Sequence, residues 1–213
     1  MWPEEPAVIL GPSSGTREGL RKSKSGCCIC KKTMCRKGWR NYMKYADIKY
    51  YDIANGLGVR TSLFVSGCTH RCRGCFNENT WDFNYGNDFT EETIQEILES
   101  ISPKYISGLT LLGGEPMEPS NQRALLPLLE QFKKRFPEKN IWCYTGYTYE
   151  TDLLSPDGRA HCEATEAFLS YVDVLVDGEF DQNQYDISLK FRGSKNQRIL
   201  QIQKEGCPQL FPL

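Results

Sequence analysis

Three cysteines lie within eight residues of one another, at Cys68, Cys72 and Cys75, in a C-x3-C-x2-C arrangement. Thiolates bind zinc and iron–sulfur clusters, and a [4Fe–4S] cube usually takes four of them. Three thiolates therefore leave one iron open to a chelating cofactor, much as an open coordination position distinguishes catalytic from structural zinc. The spacing predicts that these cysteines are metal ligands around a cluster with one open iron.

A zinc site completed by His70 is one alternative, and three unrelated buried thiols are another. His70 follows Cys68 by only two residues, which is cramped for joint ligation of one ion. The loop is also polar, which disfavours simple burial of its thiols. Both alternatives remain open at this point.

The other seven cysteines carry weaker signals. Four of them fall near the N-terminus and contain one C-x2-C pair, without the second pair of a zinc ribbon: Cys27, Cys28, Cys30 and Cys35. Three are isolated and are predicted to be small buried hydrophobic residues: Cys143, Cys162 and Cys207. Neither group predicts a site.

The chain has 213 residues, of which 39% are hydrophobic, enough for one domain of ordinary size. It contains ten cysteines, no apolar run of about 20 residues and no basic start typical of a signal peptide. We therefore expect a cytoplasmic location, where metal ligation is favoured over disulfides, and no membrane partner.

Charge divides the chain into two parts. Residues 1–42 carry a net charge of +6 and residues 43–213 carry −7. We expect a basic, flexible N-terminal leader over 1–42, which is either a lineage-specific tail or an upstream start assignment, followed by one domain over 43–213. The acidic body argues against nucleic acid as a partner.

Strands and helices alternate through the domain. Strands are predicted at 60–66, 106–112, 141–144, 172–176 and 199–203, and helices from Thr90 to Ile101, at 124–136 with Pro127 in its first turn, and at 163–171. This spacing is typical of βα units. The sequence predicts an α/β fold with a mostly parallel sheet of four or five strands, too few for a closed eight-stranded barrel.

Polar and glycine-rich residues follow three of these strands, where α/β folds bind ligands. Gly113 and Gly114 allow close backbone approach, and Glu115 could accept hydrogen bonds from a cationic amino group. Thr145 and Asp177 end later strands, but a capping threonine and a turn aspartate explain them equally well.

The cysteine motif directly after a strand resembles that of the radical S-adenosylmethionine (radical SAM) enzymes. Its continuation through 76–82 is similar to the activases of glycyl radical enzymes, as is the glycine-rich turn at 55–60. The segments 142–147, 174–178 and 191–198 resemble the activases of anaerobic ribonucleoside-triphosphate reductase in particular. The resemblance extends from about residue 43 to residue 198.

The resemblance implies an incomplete (β/α) barrel of the radical SAM type. It implies that Cys68, Cys72 and Cys75 hold a [4Fe–4S] cluster and that SAM chelates the open iron. The resemblance also implies cofactor-binding residues. Near the adenine these are Gly74, Cys75 and Phe76, and near the methionyl group they are Gly113, Gly114 and Glu115. Thr145 and Asp177 are two further cofactor-binding candidates. Gly74 occupies a position where many relatives have an aromatic residue, so the adenine contact must come from main chain or from Phe76.

The implied reaction is reductive cleavage of SAM and hydrogen abstraction from one glycine of anaerobic ribonucleoside-triphosphate reductase. A low-potential donor such as a flavodoxin would supply the electron. Three alternatives remain: an activase of another glycyl radical enzyme such as pyruvate formate-lyase, a small-molecule radical SAM enzyme, and a cysteine-rich metal or electron-carrier module.

Overall fold

A computed structural model describes residues 43–202 and 207–212. In these residues one sheet contains eight strands: β1 Lys44–Asp52, β2 Val59–Val65, β3 Asn87–Asp88, β4 Ile106–Gly113, β5 Asn140–Tyr144, β6 Val174–Asp177, β7 Arg198–Gln201 and β8 Gln209–Leu210. The α-helices are α1 Glu91–Ile101, α2 Pro119–Arg135 and α3 Thr165–Tyr171. The predicted leader, with its four cysteines, lies outside the described residues.

The sheet has the strand order β3-β1-β2-β4-β5-β6-β7-β8. The central strands β2, β4, β5 and β6 are parallel, and the flanking strands pair in antiparallel fashion. Within the described part of the chain the two end strands do not pair with each other, so the sheet is open there. The fold is mixed α/β with a partly parallel sheet.

The predicted sheet of four or five mostly parallel strands is therefore too small. The observed sheet has eight strands, of which the central four are parallel. The central strands were found because they are buried on both faces and have nearly continuous apolar sequences. The missed strand β1 is half exposed, and β3 and β8 have only two residues each. Such short or half-exposed edge strands lack a clear hydrophobic period.

The first helix begins as predicted. Thr90 is its N-cap and forms a reciprocal capping box with Thr93, and Ile94, Ile97 and Ile101 are buried on one face. By contrast, α2 begins five residues before its predicted start, with Pro119 in its first turn.

Pro127 lies inside α2 rather than in the first turn, so its predicted position is wrong. The apolar period that marks the inward face of α2 starts only at Ala124, because the buried residues of its first turn are the polar Asn121 and Gln122. No helix in the described ranges is long and apolar enough to cross a membrane.

Two apolar layers cover the two faces of the sheet. The larger contains the inward residues of the three helices and alternate strand residues such as Leu63, Leu111 and Cys143. The smaller contains Trp142, Val174, Val176 and Ile199 on the opposite face, since successive side chains of a strand alternate. This second layer leaves room for a cavity.

Arg60 ties three parallel strands together from inside the protein. Its guanidinium is fully buried and donates to the hydroxyl of Thr110 at 2.7 Å and to the side chain of Asn140 at 2.7 Å. It also donates to the backbone oxygen of Leu109 at 2.7 Å. Burial lowers the pKa of Arg60 to about 10, and these hydrogen bonds compensate the lost hydration.

Candidate functional site

A cavity of about 650 Å³ opens where β2, β4 and β5 end. Its volume lies in the range of small-molecule sites, roughly 300–1,000 Å³. Nine of the ten residues predicted from sequence line it: Cys68, Cys72, Gly74, Cys75, Phe76, Gly113, Gly114, Glu115 and Thr145. Asp177 is not among the lining residues.

The three cysteines are free thiols that face this one cavity. Burial raises the pKa of Cys68 to about 12, with a smaller effect of Glu115. Burial and the nearby Glu179 carboxylate raise the pKa of Cys72 to about 11. The raised pKa values of Cys68 and Cys72 favour their neutral thiol forms, whereas a bound metal deprotonates its thiol ligands outright.

The arrangement fits a cluster better than a single metal ion. Among the described residues, no three His, Cys, Asp or Glu side chains lie close enough together to hold one ion. The thiolates of a cube each bind a different iron, so they need not converge on one point. Three thiols that face one cavity are the donor set of a [4Fe–4S] cube with one open iron, whereas Cys68 and His70 belong to no single-ion site among the described residues.

The glycine pair after β4 brings two backbone segments together. Gly114 donates to the carbonyl of Val65 at 2.7 Å, and Glu115 donates to that of Gly67 at 2.8 Å. A Cβ on Gly114 would lie 2.7 Å from the Gly67 oxygen. Close approach was predicted here, and Gly114 makes its close contact with the segment that leads into the cysteine loop.

Both oxygens of Glu115 already accept hydrogen bonds. Oε1 accepts from the backbone of Met117 at 2.8 Å, and Oε2 accepts from that of Gly146 at 2.8 Å. The second oxygen lies 3.3 Å from Nε2 of His70. Burial alone would lower the pKa of His70, but Glu115 raises it above its ordinary value. Glu115 therefore joins the ends of β4 and β5 to the cysteine loop.

A second carboxylate, Glu118, holds the cysteine loop directly. Its Oε1 accepts from the backbone N–H of Thr69 at 2.9 Å and from the Thr69 hydroxyl at 2.6 Å. The Tyr147 hydroxyl donates to the same oxygen at 3.2 Å. Sequence analysis missed this residue, although Pro119 is a helix-start signal that would have placed Glu118 beside the strand ends.

Thr145 and Asp177 have different surroundings. The Thr145 hydroxyl accepts from the backbone of Tyr147 at 3.1 Å, and the residue also lines the cavity. This hydrogen bond closes a turn and is not a helix cap, because the helical turn Tyr149–Leu154 has Thr148 as its N-cap. Asp177 accepts from Arg198 Nε at 2.9 Å and from the backbone of Tyr149 at 3.0 Å. Its carboxylate is buried in this pair and Asp177 is not among the cavity-lining residues, so a ligand role for Asp177 stays a prediction.

A family model described as a 4Fe-4S single cluster domain matches residues 54–200. An anaerobic ribonucleoside-triphosphate reductase-activating protein of Vibrio cholerae is 44% identical over 161 residues, covering 75% of this chain and 96% of the relative. Proteins of the same name match from Enterobacteria phage T4, at 42% identity over 74% of this chain and 93% of the relative, and from Escherichia coli K12, at 39% over 75% and 97%.

The chain belongs to the family of anaerobic ribonucleoside-triphosphate reductase-activating proteins. The predicted family and the predicted [4Fe–4S] cluster are thereby confirmed. The matched range 54–200 contains every cavity-lining residue, including the three cysteines.

In this reductase-activating family member, the position before the third cysteine favours glycine. Gly74 has a φ of +78°, and a Cβ there would lie 2.3 Å from the side-chain oxygen of Gln182. A larger residue before the third cysteine would displace the flexible Gln182 side chain, and the positive φ would strain its backbone. Phe76 is 89% exposed at the cavity mouth, so its ring has little protein around it.

The isolated cysteines of this family member differ in burial. Cys143 is fully buried within β5, as predicted. Cys162 is half-buried, and Cys207 is exposed, so the prediction of burial is wrong for Cys207. None of the three lines the cavity.

Proposed function

We propose that this chain activates anaerobic ribonucleoside-triphosphate reductase by forming a glycyl radical on it. The observation that carries the proposal is the meeting of Cys68, Cys72 and Cys75 in one cavity at the ends of parallel strands. The names of the relatives support the reductase as target.

The three cysteines would hold the cluster through three of its irons. When bound, the cluster would supply the electron for cleavage of SAM, and the deoxyadenosyl product of that cleavage would take up a hydrogen atom from the partner's glycine. The backbone at Gly113 and Gly114 would flank the methionyl group, and Gly74 and Phe76 would flank the adenine. Asp177 is left out of this assignment because Arg198 occupies its carboxylate.

Glu115 and Glu118 would act as positioning residues. Glu118 accepts a hydrogen bond from Thr69, and Glu115 lies beside His70, so both contact the cysteine loop. They fix the loop before any ligand arrives, and such preorganisation lowers the ordering cost of binding. Thr145 lines the cavity while its hydroxyl accepts from the turn that follows, so its O–H would stay available to donate to a ligand.

We further assign the four parallel strands and their helices to an incomplete (β/α) barrel of the radical SAM type. The cysteine loop after β2 and the glycine pair after β4 support this assignment. A low-potential donor such as a flavodoxin would supply the electron. Cytoplasmic location and a separate leader over 1–42 stay predictions from the sequence.

The test is SAM cleavage under strict anaerobiosis. The protein is reconstituted with iron and sulfide, dithionite and SAM are added, and 5′-deoxyadenosine is quantified. We expect product from the wild type and from Cys143→Ala, whose thiol is buried outside the cavity, but none from Cys72→Ala. Addition of the reductase should then give a glycyl radical signal by electron paramagnetic resonance (EPR).

A fully loaded cluster that cleaves no SAM, with or without the reductase, would contradict the proposal and favour an electron carrier. SAM cleavage that activates pyruvate formate-lyase but not the reductase would leave the chemistry and change the partner. Zinc without iron after anaerobic purification would exclude the iron–sulfur cluster, and with it activation of either enzyme.

A further inference from the structure

The connection between β6 and β7 forms one wall of the cavity. Its two arms pair with each other: Tyr185 bridges Ser194, and Lys195 donates to the carbonyl of Gln184 at 3.0 Å. Phe180, Tyr185 and Arg192 from this connection line the cavity. The segment 178–197, called here the β6–β7 connection, thus places a cation in a mostly apolar wall.

Some of the hydrogen-bond donors of the Arg192 side chain have partners and others do not. Its Nη1 donates to the carbonyl of Gln197 at 2.6 Å, which fixes the guanidinium. Its Nε is buried and has no hydrogen-bond partner within the described residues. No carboxylate of that part of the chain lies within ion-pair distance of it. A buried donor on a charged group is costly to leave unpaired, so an acceptor supplied by a ligand would stabilise this Nε–H group.

The free edge of Arg192 has a specific shape. With Nη1 occupied, the N–H groups of Nε and Nη2 point in parallel from one edge, and this fork matches a carboxylate. The same edge binds a carboxylate elsewhere in this protein: Arg123 donates to Glu163 through Nε and Nη2 at 2.6 and 2.9 Å. Arg159 does so to Asp152 at 2.8 and 3.2 Å.

We propose that Arg192 binds a carboxylate of the polypeptide segment that the partner enzyme inserts into the cavity. The proposal rests on the proposed function and names a residue that selects its protein substrate. The carboxylate of SAM is the other source of this chemistry. We favour the polypeptide because the exposed side chains of Tyr185 and Ile187 lie on the same connection as Arg192, where a bound polypeptide would cover them.

The surroundings of Arg192 also favour a protein ligand. On the same connection Tyr185 is 53% exposed and Ile187 is 88% exposed. A polypeptide bound at this cavity would bury both side chains, and the centres of protein interfaces bury aromatic and apolar residues in this way. A polypeptide that enters here can contact these residues and the guanidinium edge together.

The test compares Arg192→Met and Arg192→Lys with the wild type. Lysine keeps the charge but lacks the fork, so it should not restore binding. The matched control is Lys190→Met, which removes an exposed cation from the same connection without touching the cavity. The variants are reconstituted with the cluster and assayed anaerobically with SAM and with the anaerobic reductase.

Three quantities are measured: the Kd for the reductase, the SAM-dependent change in the cluster EPR spectrum, and 5′-deoxyadenosine formed without partner. We expect both Arg192 variants to raise the Kd for the reductase about tenfold or more, because a charged hydrogen-bond pair is lost. Half-saturation by SAM and the uncoupled cleavage should stay within about twofold of the wild type, and Lys190→Met should resemble the wild type throughout.

A shifted half-saturation by SAM would assign the guanidinium to the cofactor and overturn the proposal. An unchanged Kd for the reductase would overturn it as well. Failure of the proposed function is distinguishable, because the wild type itself would then neither cleave SAM nor bind the reductase.

Discussion

The carboxylate of Glu118 accepts hydrogen bonds from both the backbone N–H and the hydroxyl of Thr69, at 2.9 and 2.6 Å. Thr69 lies between the first cysteine and His70, and Glu118 is the N-cap of α2. One buried carboxylate therefore joins a helix start to the cysteine loop. Its position at the positive end of α2 also stabilises its negative charge.

Removal of this carboxylate should loosen the loop. In Glu118→Ala the Thr69 N–H and the hydroxyls of Thr69 and Tyr147 lose their acceptor, so we expect a loss of about 3 kcal/mol in the free energy of unfolding. Glu118→Gln keeps one acceptor oxygen and should lose less. Urea denaturation of the apoprotein measures both. Equal stability of Glu118→Ala and Glu130→Ala, an exposed position of the same helix, would show that the contact is unimportant.

The pair of Asp177 and Arg198 is predicted to be structural. Asp177 is 1% exposed, and Arg198→Met would leave its carboxylate without the cation. Because the arginine is partly exposed, we expect a loss of about 2 kcal/mol in unfolding free energy, below the usual range for a fully buried pair. Asp177→Asn combined with Arg198→Met should cost less than the sum of the single changes.

The same variants test whether Asp177 binds SAM. Asp177→Asn should leave half-saturation by SAM unchanged in the cluster EPR assay, because the carboxylate does not line the cavity. A clear loss of SAM binding at preserved stability would restore the ligand role that sequence analysis gave this residue.

The free energy of unfolding should decrease at acid pH, in part because the Asp152 carboxylate becomes protonated. Its hydrogen bond from Arg159, together with the backbone N–H of Thr148, holds the pKa of Asp152 below its ordinary value despite burial. The unfolded chain therefore binds more protons in acid, and this contribution is present above about pH 4 and lost as pH falls below it. Urea denaturation at pH 5, 4 and 3 should show a shallower decline for Asp152→Asn than for the wild type. Asp157→Asn, at an exposed position, should follow the wild type.

Gly114→Ala should disturb the cysteine loop. The new Cβ would lie 2.7 Å from the Gly67 oxygen and 2.9 Å from the Thr80 oxygen, and both belong to backbone that cannot easily move. We expect a loss of about 2 kcal/mol in stability and less iron bound after reconstitution. Gly193→Ala is the control, since its nearest neighbour is the Phe180 ring at 3.0 Å. Equal iron content in the two variants would contradict the prediction.

The cysteine loop, the central strands and α1 could be located from the sequence without a structure. Ligand spacing and hydrophobic period are properties of neighbouring residues, so Cys68, Cys72 and Cys75 and the buried face from Ile94 to Ile101 could be recognised without a structure. The polar first turn of α2 and the half-exposed β1 have no such period. Their boundaries were therefore misplaced or missed.

The pairing of distant polar groups became visible only in the folded chain. Glu118 and Thr69 are 49 residues apart, and Arg198 and Asp177 are 21 residues apart. Nothing local in either sequence segment records such a pairing, because it depends on where the chain returns after a strand or helix. The same reason explains why Asp177 ends a strand yet lies outside the cavity, and why Arg192 enters it with one edge of its guanidinium free.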